Sequence, residues 1–261
     1  MRAPMLRTIS ASCVGAMFSG APAWSALQAQ SAPAVRYRIA STAVIALDRA
    51  PQPALVDTVT TTSLLSIEVS AGTDTVATMT VDSLLLVSTG MIRRAPDAFA
   101  RGISVSALLH NGRPLITGDS ASACTAERPL AGLLPDLLPL LPLPLRADQQ
   151  WSDTLTVTTC RAGLPVTTVT IAAYRTLTGI DSTTVLLERR AVIRANGAAV
   201  IRTQTVSLTG TGTSESLAVV SVASRHIQSW RGTQQLDIQL TNGQQTRQMT
   251  QLLTDSATLL P

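Results

Sequence analysis

Hydrophobic and polar residues alternate with a period of two along most of the chain after residue 34. Arginines separate Val35, Tyr37 and Ile39, and the same alternation recurs over 151–157 and 235–240. Successive side chains of a strand point to opposite faces, so this pattern predicts strands with one buried and one solvated face. There is neither a βαβ rhythm nor a long amphipathic helix pattern. We therefore predict an all-β fold with minor short helices, in the form of a curved antiparallel sheet or open half-barrel.

Turn signals recur between the predicted strands. Asn-Gly pairs at 111–112, 196–197 and 242–243 predict tight hairpins, because both residue types tolerate the positive φ angles of a two-residue turn. The segment 161–165 predicts another turn, and the Gly-Thr-Gly sequence at 210–212 is typical of a strand end. This spacing favours consecutive strands that pair as antiparallel meanders.

The strands fall into two halves of a single β domain over residues 31–261. The N-terminal half covers 31–120, the C-terminal half covers 151–261, and a connector rich in proline and leucine occupies 124–150. Its prolines remove backbone donors and break helices, so the connector can be neither a membrane helix nor a central strand. Short helical turns with Pro135 in a first-turn position fit it better.

The leucines of the connector need an apolar surface to cover. A buried leucine contributes roughly 1.5–3 kcal/mol, so the connector should supply a large share of the core energy. Two interpretations stay open, a static plug of the sheet and a lid over a ligand cavity. The candidate ligand-cover residues are Leu133, Leu134, Leu137, Leu138, Leu140 and Leu141.

The N-terminus resembles an export signal over residues 1–30. Arg2 and Arg7 precede a short apolar stretch, and small-residue cleavage sites follow it. The apolar stretch is shorter than the ~20 residues of a membrane span. We expect a periplasmic or secreted protein whose mature chain has no transmembrane segment. Cys13 lies inside the apolar stretch rather than after it, which argues against a lipid anchor.

Removal of this leader leaves two cysteines, Cys124 and Cys160. In an oxidising compartment two such cysteines readily pair, and the bridge would enclose the connector. The alternative is two buried thiols, and we favour the disulfide.

Charge and composition argue against several function classes. Charged residues are 14% of the chain and the formal net charge is +4. The arginines are dispersed along the chain and form no basic patch, so nucleic-acid binding is not expected. His110 lies beside a predicted hairpin and His226 in a polar run, and neither has the partners of a catalyst or a metal site. The Gly-Asp-Ser sequence at 118–120 is better explained by a turn than by a nucleophile. We predict no catalytic residue, no metal and no cofactor.

A family resemblance rests on the C-terminal half. The connector followed by Asp-Gln-Gln-Trp-Ser-Asp-Thr at 148–154, Tyr174 with Gly179, and Thr-Gly-Thr-Gly at 209–212 resemble features of uncharacterised exported bacterial proteins. Those proteins resemble the LolA/LppX-type lipoprotein-carrier half-barrel, a curved sheet closed by short helices over an apolar cavity. The resemblance covers about 130–255. It implies a cup-shaped fold and a lipophilic ligand, and it implies no catalysis.

The function predicted from these features is that of a non-enzymatic exported envelope protein. It would bind or carry a lipophilic small molecule or a lipoprotein in a β cup. The alternative is a structural or protein-interaction component of the envelope that binds another envelope protein. A hydrolase whose two carboxyl groups come from distant strands has the least support.

Overall fold

A computed structural model describes residues 34–49, 51–71, 74–88, 102–110, 113–115, 132–161, 164–177, 183–201 and 203–261. The predicted leader, Cys13, Cys124 and the Gly-Asp-Ser sequence at 118–120 lie outside these residues.

The described residues form one antiparallel sheet and one short helix. The elements are β1 (Val35–Arg49), β2 (Gln52–Ala71), β3 (Thr75–Ser88), β4 (Ser104–His110), β5 (Arg113–Leu115), α1 (Leu134–Leu137), β6 (Gln150–Arg161), β7 (Leu164–Leu177), β8 (Thr184–Ile201), β9 (Gln204–Ser221), β10 (Ile227–Asn242) and β11 (Gln245–Leu259).

The spatial order of the eleven strands is β5-β4-β3-β2-β1-β11-β10-β9-β8-β7-β6. Every neighbouring pair is antiparallel, and the two halves join where β1 pairs with β11, with Tyr37 opposite Leu259. Register shifts at Leu47, Leu64 and Ile227 mark bulges, which bend strands and add to the curvature of a sheet. The predicted all-β fold, an open and curled half-barrel, is confirmed.

The alternation of the sequence corresponds to the concave and convex faces of this sheet. Two groups of buried side chains lie on the concave face. The first, which we call the covered cluster, joins both halves of the sheet and includes Tyr37, Leu65, Met79, Leu187 and Val220. The second lies further along the C-terminal strands and comprises Leu164, Val166, Ile193, Ala195, Leu208, Leu236 and Ile238. The convex face carries polar side chains together with exposed hydrophobic ones such as Val56, Leu85 and Leu252.

The Asn-Gly hairpin prediction is confirmed at 242–243 and wrong at 196–197, and the pair at 111–112 lies outside the described residues. Asn242 pairs with Gln245 across the turn between β10 and β11, and Gly243 has a φ of 59°. Gly197 instead lies within β8. A Cβ added there would lie 2.5 Å from the backbone oxygen of Pro165, so glycine is needed for close approach of the neighbouring strand rather than for a turn.

The predicted strand end at 210–212 is also wrong, because these residues lie in the middle of β9. A Cβ on Gly212 would come within 2.0 Å of the backbone oxygen of Gln235 in β10. At Gly210 the nearest atom would be 3.3 Å away. The glycines therefore allow strands to approach closely on the concave face, a use of glycine that turn statistics do not reveal.

Within the described ranges, no helix is both long and apolar enough to cross a bilayer.

Candidate functional site

The connector packs onto the concave face of the sheet through residues 132–145, which we call the cover. Helix α1 lies within it, with Pro135 in the first turn as predicted. Leu134 and Leu137 are almost fully buried in the covered cluster, and Leu141 and Leu145 join them further along. At roughly 1.5–3 kcal/mol for each buried leucine, the cover is part of the core.

Side chains from β6 and from the loop between β9 and β10 hold the backbone of the cover. Trp151 Nε1 donates a hydrogen bond to the carbonyl oxygen of Leu140 at 2.9 Å. Arg225 Nη2 donates to the carbonyl oxygen of Leu141 at 2.7 Å. Prolines deprive a segment of backbone donors, and buried carbonyls still need partners, so side chains supply them here. The cover is thereby held in one position on the sheet.

The Trp151 ring also stacks on Tyr174 in β7, with ring centroids 5.3 Å apart and planes 5° from parallel. These two residues belong to the sequence features that resemble the lipoprotein-carrier half-barrel. Their pair forms part of the concave surface on which the cover rests.

A cavity of about 410 Å³ lies between the N-terminal part of the cover and strands β8 to β11. Leu133 and Asp136 line it from the cover. Trp230 and Leu253 give it apolar surface on the sheet side, next to a larger set of polar side chains. The cavity is therefore amphipathic, in contrast to the purely apolar lining that the family resemblance implies.

The strand register places five lining or adjacent residues in one row across the concave face. Arg189 lies opposite Ser216, Ser216 opposite Gly232, Gly232 opposite Asp255, and Asp255 opposite Ser41. Directly opposite residues in an antiparallel pair have Cβ atoms roughly 4.5–5.5 Å apart. The row thus connects β8 with β1 through a line of small and polar side chains.

At one end of the row, Arg189 joins the sheet to the cover. Arg189 Nη2 lies 3.8 Å from Asp136 Oδ1, and Nη1 donates to Ser214 Oγ at 3.2 Å. Burial raises the pKa of Asp136, while the Arg189 charge acts to lower it. Arg189 Nε is buried and has no hydrogen-bond partner among the described residues. A buried donor of this kind is costly unless a hydrogen-bond acceptor satisfies it.

At the other end, Asp255 is a carboxyl group of the sheet itself. Ser41 Oγ donates a hydrogen bond to Asp255 Oδ1. Burial raises the pKa of Asp255 to about 6, the Ser41 hydrogen bond opposes this rise, and the charge of Asp136 adds to it. Asp136 and Asp255 thus interact electrostatically across the cavity that both line.

The six candidate cover leucines occupy different positions. Leu133 lines the cavity, whereas Leu134, Leu137 and Leu141 belong to the buried cluster. Leu138 and Leu140 border a void of about 10 Å³ between the cover and strands β6 and β7. Their role as ligand contacts stays a prediction.

The predicted disulfide also stays a prediction. Cys160 lies in β6 and contributes to the cavity lining, while Cys124 lies outside the described residues.

Sequence reasoning missed the charged residues of the cavity, although a signal for them was present. Arg189 shares the inward phase of Leu187 and Ala191, and Asp255 shares that of Leu253 and Ala257. A charged residue in the buried phase of a strand is uncommon and needs a partner. Their meeting depends on the order of strands, which the local pattern does not contain.

The described residues show no cluster of three or more histidine, cysteine, aspartate or glutamate side chains able to hold a metal ion. His110 and His226 are not part of the cavity lining.

No protein-family model and no curated protein matches the sequence. Among solved structures, the chain is similar to Acinetobacter baumannii OccAB4, with 7% identity, 88% of this chain and 99% of that chain covered, and a TM-score of 0.27. Pseudomonas aeruginosa OccK2 (OpdF) gives 7% identity, 87% and 98% coverage and a TM-score of 0.27. Pseudomonas aeruginosa OccK9 (OpdG) gives 10% identity, 87% and 99% coverage of the two chains and a TM-score of 0.25. Similarities this low carry no argument about this chain.

Proposed function

We propose that this chain is an exported, non-enzymatic binding protein that holds a small amphiphilic molecule between the cover and the concave face of its sheet. The observation that carries the proposal is the cavity of about 410 Å³. Its volume falls within the range of roughly 300–1,000 Å³ in which small-molecule sites usually lie. A packed cover without such a space would favour a purely structural role.

The lining supports a ligand with one apolar and one polar part. Leu133, Trp230 and Leu253 offer apolar contacts, and Arg189 and Asp255 lie in the same cavity. The ligand expected from the family resemblance was lipophilic. The charged groups narrow this expectation to a molecule whose polar group also enters the cavity, because a buried charge left beside hydrocarbon alone would be costly.

Export and location in the cell envelope are part of the proposal. They rest on the N-terminal sequence, with its two arginines, short apolar stretch and small-residue cleavage sites. The lipoprotein-carrier resemblance supports the same location, and the half-barrel with a cover over its concave face agrees with that architecture.

The experiment compares the molecules that remain bound to two purified proteins, the wild type and a variant whose cavity is filled by a larger side chain. Mass spectrometry of solvent extracts should find a stoichiometric small molecule with the wild type. Ser216→Phe, which places a ring inside the cavity, should lose it. Ser256→Phe on the exposed face of β11 is the matched control and should retain it. Equal ligand content in Ser216→Phe and wild type, or none in any sample, would refute the proposal.

A hydrolase is a second candidate because one cavity contains two carboxyl groups with raised pKa values, Asp136 and Asp255. Paired carboxyl groups of this kind can serve as acid and base in glycoside hydrolysis. The ion pair of Asp136 with Arg189 argues for a positioning role instead. Release of nitrophenol from a panel of nitrophenyl glycosides and esters, lost in Asp255→Asn, would establish the hydrolase.

A protein-interaction role has one supporting observation on the convex face. Ile171 and Val192 lie opposite each other in β7 and β8 and are about half exposed. Crosslinking in cells followed by purification should recover the same partner from wild type and lose it in Ile171→Ser if this pair binds an envelope protein.

A further inference from the structure

We propose that the molecule held in the cavity carries a positively charged amine group, which binds beside Asp255. This inference rests on the proposed binding function and names the chemical class of its ligand: a primary ammonium group attached to a short apolar chain.

The balance of charge around the cavity favours a cation. Two acidic side chains face the cavity, Asp136 from α1 and Asp255 from β11. Arg189 in β8 is the one basic residue of the described lining, and its Nη2 is directed to Asp136. The described hydrogen bond to Asp255 comes from a neutral hydroxyl group. An ammonium group there would neutralise the carboxylate and donate hydrogen bonds to it.

The residues next to Asp255 in the row across the strands are small. The neighbour of Asp255 in β10 is Gly232, and the next residue in β9 is Ser216. A Cβ on Gly232 would lie 3.0 Å from the Ser216 Cβ and 3.2 Å from the Trp230 ring. The absence of a side chain at Gly232 therefore lets Ser216 and the Trp230 ring pack closely against this position, next to Asp255.

An aromatic ring in the same cavity is a second feature of cation recognition. Trp230 lines the cavity and packs partly buried at its wall. Ammonium groups bind favourably over the face of tryptophan, more so when solvent is excluded. Leu133 and Leu253 then provide the apolar surface for the chain of the ligand.

The test measures binding of octylamine, octanol and octanoate to the full chain by isothermal titration calorimetry at neutral pH. These probes share one apolar chain and differ in the charge of the polar group. We expect octylamine to bind at least tenfold more tightly than octanoate, with octanol between them. Asp255→Asn should reduce the preference for octylamine over octanol to less than threefold.

Asp237→Asn is the matched control, since Asp237 is an exposed carboxyl group of β10 and the same substitution changes the net charge equally. It should keep the wild-type preference, and circular dichroism should show that both variants are folded. Equal binding of the three probes, or a preference for octanoate, would overturn the ammonium inference and leave the binding function standing. Failure of every probe to bind, together with ligand-free protein from cells, would overturn both.

Discussion

Replacing Leu134 with alanine tests whether the cover is part of the core. Leu134 is fully buried, at 0% exposure, in the covered cluster. Removing a buried leucine side chain to its Cβ typically costs about 2–5 kcal/mol, through lost burial and the cavity left behind. For a domain of this size each kcal/mol lowers Tm by about 2–4 °C, so a loss of about 3 kcal/mol corresponds to about 6–12 °C.

Leu143→Ala is the matched control for Leu134→Ala. Leu143 lies in the same segment but is 83% exposed, so its truncation should change the free energy of unfolding by less than about 0.5 kcal/mol. Urea unfolding followed by circular dichroism gives both values, and thermal melts give the Tm shifts. If Leu134→Ala lies within about 0.5 kcal/mol of Leu143→Ala, the cover does not pack on the sheet and the cavity beneath it loses its upper wall.

Three further predictions concern charge, close strand approach and the cysteines. The pKa of Asp255 is raised to about 6, above its value in the unfolded chain, so the folded state loses stability as pH rises from about 4 to about 6. Asp255→Asn should therefore stabilise the protein by about 1–3 kcal/mol at pH 8 and by little at pH 4, as measured by urea unfolding; an equal effect at both pH values would contradict the burial of this carboxyl group. Gly212→Ala should cost about 1–3 kcal/mol or more because its Cβ would meet a backbone oxygen of β10, whereas Gly210→Ala, two residues away on the same face, should cost clearly less by the same measurement. Thiol titration of the unfolded, unreduced mature chain should find no free thiol if Cys124 and Cys160 are bonded, and two titratable groups would refute that pairing.

The strands and their buried faces could be predicted from the sequence, because alternation depends only on neighbours along the chain. Tyr37, Leu65 and Leu187 are all in the inward phase of their strands, and the structure buries all three. Glycine was harder to interpret. Glycine forms a turn at position 243 and allows close approach of a neighbouring strand at position 197. Only the position of the adjacent strand distinguishes these two uses.

The candidate site could not be predicted, because it depends on which strands become neighbours. Arg189 and Asp255 are 66 positions apart by their numbering, and the row that relates them passes through β9 and β10. Asp136 comes from the connector. Its leucines predict that the connector packs on the sheet, but they do not predict which of its side chains face the cavity. Each charged residue could have been noted as unusual, and only the fold shows that they line one cavity.

The pairing of β1 with β11 means that the sheet can be completed only after the C-terminal strand has been synthesised. Residue 37 leaves the ribosome long before residue 259, its partner, exists. Until then β1 can pair with β2 on one side only, and its other edge is open to any extended segment, including that of a second copy. Contacts between residues so distant along the chain also form slowly. The pairing with β11 removes this exposed edge of β1, and β5 and β6 are left as the two edges of the described sheet.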